Sequence, residues 1–214
     1  MLPRRIVPAL ALALLATAAP AAAAPGDDPA AWEKECEAGS ARACFGMAQA
    51  YASGQGVSAD PAKAAAYKAK AAESSQKGCE AGDADSCNVQ GYLAQEAGDS
   101  AGAHLLFAKA CNLGSGGACR SVATAYKHGQ GVKKDKQKTK EFFAKSFEFD
   151  SKACEANNAV ACLNVGWLYL DGEGVKQDQK SAGKHMVKAC GMGLARACQE
   201  LERNPWLKTL AAKE

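Results

Sequence analysis

Along most of this chain the apolar positions keep a helical rather than an alternating beat. Counting from Cys44, Cys119 and Cys162, apolar or small side chains return three, four and seven residues later. They are Met47, Ala48 and Tyr51; Val122, Ala123 and Tyr126; and Val165, Gly166 and Tyr169. That spacing marks one face of a helix. Each stretch then runs into a glycine turn, Gly54-Gln55-Gly56-Val57, Gly129-Gln130-Gly131-Val132 or Gly172-Glu173-Gly174-Val175, and Asp60, Asp135 and Asp178 follow at matching offsets. Gly54, Gly129 and Gly172 sit where a helix ends and φ can become positive. The aspartates are placed to cap the next helix, and Pro61 after Asp60 is the proline that a first turn tolerates. The predicted unit is helix A, a glycine turn, then helix B. Neither helix buries its apolar stripe alone, so stacked units must share a core.

The cysteines mark the period. They fall at 36, 44, 79, 87, 111, 119, 154, 162, 190 and 198, each successive pair eight residues apart. The first members of the pairs are separated by 43, 32, 43 and 36 residues, the range of helical-hairpin repeats. A 43-residue step is the 36-residue step plus seven, and two extra turns of helix B absorb it with little change of face. The 32-residue unit lacks the glycine turn around Gln95 to Ser100 and should have a tighter connection. Small residues at Ala48, Gly91, Ala123 and Gly166, four after each second cysteine, let helices approach closely.

Within each pair the first cysteine is expected to end helix B and the second to lie in the first turns of the next helix A. Turn-like residues separate them, as in Glu37-Ala38-Gly39-Ser40, Glu80-Ala81-Gly82-Asp83 and Glu155-Ala156-Asn157-Asn158. Ten cysteines could pair in on the order of a thousand ways. The repeat favours the local set: Cys36–Cys44, Cys79–Cys87, Cys111–Cys119, Cys154–Cys162 and Cys190–Cys198. Metal binding is the competing reading. Zinc sites favour closer pairs such as CxxC, and His104, His128 and His185 do not recur with the cysteines. Neither a metal nor another cofactor is expected.

Composition adds the leader and the compartment. Alanine is about 22% of the chain, which suits close-packed helices. Five of the seven prolines lie within the first 29 residues, and a body so poor in proline and in β-branched runs argues against a sandwich or barrel. Residues 1–23 combine Arg4 and Arg5, an apolar run from Ile6 to Ala19 and a small-residue stretch. That is the layout of a secretory signal peptide. The run is shorter than the roughly 20 residues a spanning helix needs, and no later stretch is apolar enough to span. The chain is therefore expected to be exported, periplasmic or secreted, where disulfides persist. Its formal charge of +3 falls to about +1 without Arg4 and Arg5, so a nucleic-acid partner is excluded. Residues 24–29 read as a short linker, 30–203 as the repeat body and 204–214 as a cap or tail. Asn204-Pro205 should end the last repeat helix, with Trp206 covering the final core.

These units resemble Sel1-like repeats, and with a cysteine pair at each junction the chain resembles the Helicobacter cysteine-rich proteins. The resemblance covers roughly residues 30–203 and implies an all-α fold, an α/α superhelix of about four hairpins stapled by five local disulfides. The second unit is the weakest match, with Ala94 in place of tyrosine and no glycine turn. In such superhelices helix A usually lines the concave side, which implies a protein or peptide partner on a chain expected to be monomeric.

Positions one and five after the second cysteine vary between units: Phe45 and Gln49, Asn88 and Tyr92, Arg120 and Thr124, Leu163 and Trp167. A separation of four places each pair on one face. This row is the candidate partner-binding surface, with Tyr92 and Trp167 as aromatic anchors. The plainer alternative is that Phe45 and Trp167 pack between units. The run Lys133 to Lys138 reads as a solvated helix start.

Similar cysteine-rich proteins are described as penicillin-binding or β-lactamase proteins, which makes a serine hydrolase the rival reading. Serine acyl enzymes use SxxK with supporting motifs. Ser74-Ser75-Gln76-Lys77 and Ser181-Ala182-Gly183-Lys184 match it, but twelve serines and twenty lysines predict about one match by chance. Both fall within helix B, without KTG or SDN, so no catalytic residue is assigned. A further resemblance, to a cysteine-rich assembly factor of respiratory complexes, implies a chaperone or haem-linked role, but the chain has no CxxCH.

Overall fold

The computed structural model describes residues 29–212. The predicted leader and most of the linker lie outside the described residues. Helices form in pairs: α1 (Pro29–Glu37) and α2 (Ala41–Ser53), α3 (Pro61–Glu80) and α4 (Ala84–Glu96), α5 (Ser100–Asn112) and α6 (Gly116–His128), α7 (Lys136–Glu155) and α8 (Ala159–Asp171), then α9 (Gln179–Gly191) and α10 (Ala195–Arg203). A last helix, α11 (Pro205–Ala211), follows. Even-numbered helices are the A helices and odd-numbered ones up to α9 the B helices. The fold is an all-α repeat stack.

Each junction within these pairs is a turn closed by a disulfide, in the five local pairings, with Cα atoms 4.5 to 4.8 Å apart. The next A helix is capped from the turn. Ser40, Asp83, Ser115 and Asn158 each accept a hydrogen bond from the backbone N–H three residues on. At the fourth junction Asn157 takes the left-handed position with φ 64°, which asparagine tolerates better than other side-chain-bearing residues.

The A helices α2, α4, α6 and α8 all have 13 residues, whereas α3 and α7 have 20 and α5 and α9 have 13. The seven-residue expansion therefore sits wholly in helix B. Asp60, Asp135 and Asp178 each accept two backbone N–H bonds at the start of α3, α7 and α9. In the short unit Ala97-Gly98-Asp99 replaces the glycine turn, and Asp99 caps α5. Where the turn is present, its second glycine packs on the preceding unit. A Cβ on Gly131 would collide with the Ser100 carbonyl, and one on Gly174 with that of Phe143. The first glycine terminates a helix and the second seats one unit on the last.

Small residues set the spacing between helices. A Cβ on Gly91 would stand 2.5 Å from the Phe107 ring, and one on Gly166 would stand 2.7 Å from Met186 Cγ. Ala48 and Ala123, at the same register, are buried. Among the A helices α2 packs on α4 and α6 on α8, while neighbouring B helices make at most fringe backbone contact. At the C-terminal end α11 packs on α9. Leu207 is the residue that plugs this core, fully buried, whereas Trp206 is 41% exposed. The helix begins at Pro205, which turns position 207 rather than 206 toward α9.

Candidate protein-interaction surface

The row at positions one and five resolves into contacts between units. Phe45 stacks on Tyr92 with ring centroids 6.0 Å apart, and Tyr92 meets the edge of Phe107 at 5.0 Å. Further along, the Arg120 guanidinium lies 5.1 Å from the Trp167 ring. In both cases position one of one unit reaches position five of the next. Arg196 approaches the same indole from the following unit at 5.7 Å. Phe45, Asn88, Tyr92, Arg120, Thr124 and Trp167 are half-buried and Gln49 is exposed. Phe45 and Trp167 thus pack between units and still present part of their surface.

Leu163 departs from the expectation. It is 1% exposed and lies in one core cluster with Ala197 and Leu201 of α10. Position one faces the next A helix, and a short aliphatic chain there goes wholly beneath it. Leu163 therefore belongs to the core and not to the surface. In the second unit, position three is the half-buried Gln90, and Val89 takes the buried place beside it. Asn88 Oδ1 is buried and accepts no hydrogen bond among the described residues.

A cleft of about 210 Å3 opens beside the row, lined among others by Gln95, His104, Arg120, Ser121 and Thr124. His104 stands edge-on to Tyr126 at 5.1 Å, and burial, with the nearby Lys138 charge, holds its imidazole below the ordinary histidine range. Behind the row, on α7, Asp150 is 4% exposed. Ser146 Oγ and Asn164 Nδ2 each donate to it at 3.2 Å. Burial lifts its carboxyl to about 6, against the pull of those two bonds and of Arg120.

The other candidate groups stay apart. Among the described residues no cluster of His, Cys, Asp or Glu could hold a metal ion, and no helix is long and apolar enough to cross a membrane. Lys77 pairs with Glu73 at 2.8 Å, and Ser181 Oγ donates to the capping Asp178 at 2.7 Å. Neither SxxK serine is bonded to its lysine. The run from Lys133 leads into the exposed first turn of α7, where Lys138 Nζ donates to Tyr126 Oη at 3.3 Å.

One repeated signal escaped the reading of the sequence. A lysine stands two residues before every first cysteine: Lys34, Lys77, Lys109, Lys152 and Lys188. From the 13-residue B helices, Lys109 and Lys188 donate to the carbonyls of Cys79 and Cys154 at 2.7 and 2.8 Å. They satisfy carbonyls at the ends of the preceding B helices, where a cation is favoured. In the 20-residue helices, Lys77 and Lys152 instead pair with Glu73 and Glu148 one turn back. Asp150 was missed as well, because one aspartate on a polar helix carries no periodic signal.

A family model described as Sel1 repeat matches residues 41–75, 117–148 and 159–194. Among solved structures, the chain is similar to Helicobacter pylori cysteine rich protein B, at 32% identity over 63% of this chain and 94% of that one, with a TM-score of 0.40. It is also similar to a Sel1 repeat protein from Oxalobacter formigenes, at 24% identity, 82% and 48% coverage and a TM-score of 0.39. A third is c5321, a protective antigen of uropathogenic Escherichia coli strains with an SLR fold, at 22% identity, 77% and 41% coverage and a TM-score of 0.39. The chain spans less than half the length of the last two. No curated protein matches.

Proposed function

Because this chain belongs to the Sel1 repeat family, we propose that it is an exported, monomeric scaffold holding a protein or peptide segment along the inner wall of its arc. One observation carries the reading. Varied side chains at a fixed register, Phe45 with Tyr92 and Arg120 with Trp167, meet across successive units and stay part exposed. The helix positions around them repeat as small or apolar core. Repetition builds the frame, and variation along one line supplies a surface able to recognise an extended chain. Export is supported by five disulfide junctions, which persist in oxidising compartments, and by the leader pattern of residues 1–23. In this reading 30–203 forms the scaffold and 204–214 closes it.

Peptide-display selection on the oxidised mature chain tests the reading. Selected peptides should lose affinity by about tenfold on Tyr92→Ala or Trp167→Ala, as for aromatic anchors elsewhere, with helicity unchanged. Peptides that bind both variants as tightly as the parent would remove the row from the interface.

A further inference from the structure

The C-terminal end of the row carries two arginines whose N–H edges are not taken up by the residues around them. Neither Arg120 nor Arg196 donates a hydrogen bond or forms an ion pair among the described residues; both lie over the Trp167 ring. Arg196 is exposed and Arg120 half-buried. The nearby carboxylates are otherwise engaged. Asp150 is buried, with its oxygens taken by Ser146 and Asn164. Glu173 is bound to Lys127 at 2.6 Å, and Glu200 faces Arg203 and Asn204. Burial and the neighbouring Glu173 charge raise the Asp171 carboxyl, against the pull of Lys127 and Arg120, so Asp171 answers two cations and hydrogen-bonds neither arginine of the row. The N-terminal end differs: Arg42, two residues before its cysteine as Arg196 is, already meets Asp85 at 3.5 Å.

A guanidinium stacked on an indole keeps its charge and leaves its N–H edge open for a planar, two-point bond to a carboxylate. Beside Arg120, the cleft of about 210 Å3 adds the Ser121 and Thr124 hydroxyls. We propose that this end of the inner wall takes an acidic peptide segment, its Asp or Glu carboxylates bound by Arg120 and Arg196 and its chain laid across Trp167. This rests on the inner-wall reading above and adds the chemistry of the occupant.

The test uses the oxidised mature protein and three fluorescent twelve-residue peptides of alternating Glu-Ser, Lys-Ser and Gln-Ser, followed by anisotropy. The Glu-Ser peptide should bind at least about tenfold tighter than the other two, and raising salt from about 50 to 500 mM should weaken it strongly. Joint Arg120→Gln and Arg196→Gln substitution should abolish the preference, and Arg120→Lys with Arg196→Lys should keep most of it. Lys63→Gln, on the exposed first turn of α3, should leave it intact. No binding of the Glu-Ser peptide, no preference for it, or full binding by the double glutamine variant overturns the proposal. So does a single-stranded oligonucleotide that binds as tightly, since that would mark a general polyanion site. If display-selected neutral peptides still depend on Tyr92 when the acidic preference fails, the inner-wall reading survives and only the acidic occupant is lost. If they do not, both fall.

Discussion

The two ends of the row are built on one register and filled with opposite chemistry. At the N-terminal end, Phe45, Tyr92 and Phe107 satisfy one another ring to ring, and the local arginine is paired. At the C-terminal end a single indole is approached by two guanidiniums from the units before and after it. An aromatic chain of contacts buries its surface internally. A cation over a ring gains about 0.5 to 1 kcal/mol at an exposed site and keeps its charge available. The frame is common to both ends, so the contrast lies in side chains alone.

Three perturbations break or sharpen that contrast. Full reduction is the largest and should ignore it, because every junction carries one bridge. On the chain-entropy argument each short loop contributes roughly 2 to 3 kcal/mol. Reduced protein should therefore melt far below the oxidised form in calorimetry, with both ends lost together; unchanged melting would sink the idea that the bridges staple the stack.

Asp150→Asn should act only at the cationic end. Its carboxyl rises from an ordinary 3.8 to about 6 in the fold, so the folded state holds the proton more tightly than the unfolded chain. Stability from this residue is greatest below pH 4 and declines as pH rises to about 6, levelling beyond it. The asparagine variant should flatten that decline and gain at most about 3 kcal/mol at neutral pH, an upper value set by the size of the shift. Urea titrations between acid and neutral pH check this, and parallel pH profiles for parent and variant would refute it.

The third pair is Gly91→Ala and Gly166→Ala, equivalent positions at opposite ends. A new methyl at 91 strikes the Phe107 ring, whereas at 166 it meets mainly the flexible Met186 chain. Overpacking of this kind costs about 1 to 3 kcal/mol, and Gly91→Ala should lie nearer the upper figure because methionine adapts and a packed ring does not. Equal denaturation midpoints for the two variants would show that the ends respond alike.

Most of the frame could be read before any coordinates. Cysteines at a constant spacing, aspartates at a constant offset and paired glycines are local signals, and each acts through its own few residues. The extra turns in α3 and α7 followed from counting alone. The surface was legible only by half. Register identified Phe45, Tyr92, Arg120 and Trp167, but Leu163 shares their register and is buried, since coverage by α10 depends on the neighbouring unit. The same reason hid the second glycine of the turn, whose constraint is the backbone of the preceding unit. Lys109 and Lys188 recur visibly, yet their acceptors lie about thirty residues back at Cys79 and Cys154.

The disulfides have a consequence for how such a chain is made. Each bridge joins cysteines eight residues apart, so both thiols leave the ribosome nearly together. In a polypeptide threaded N-terminus first through a narrow pore, each pair emerges and can close before the next arrives. Mispairing is then limited by the order of arrival. The unit added last inherits a finished neighbour to dock against, and biogenesis becomes a sequence of small oxidations in place of one search among ten thiols.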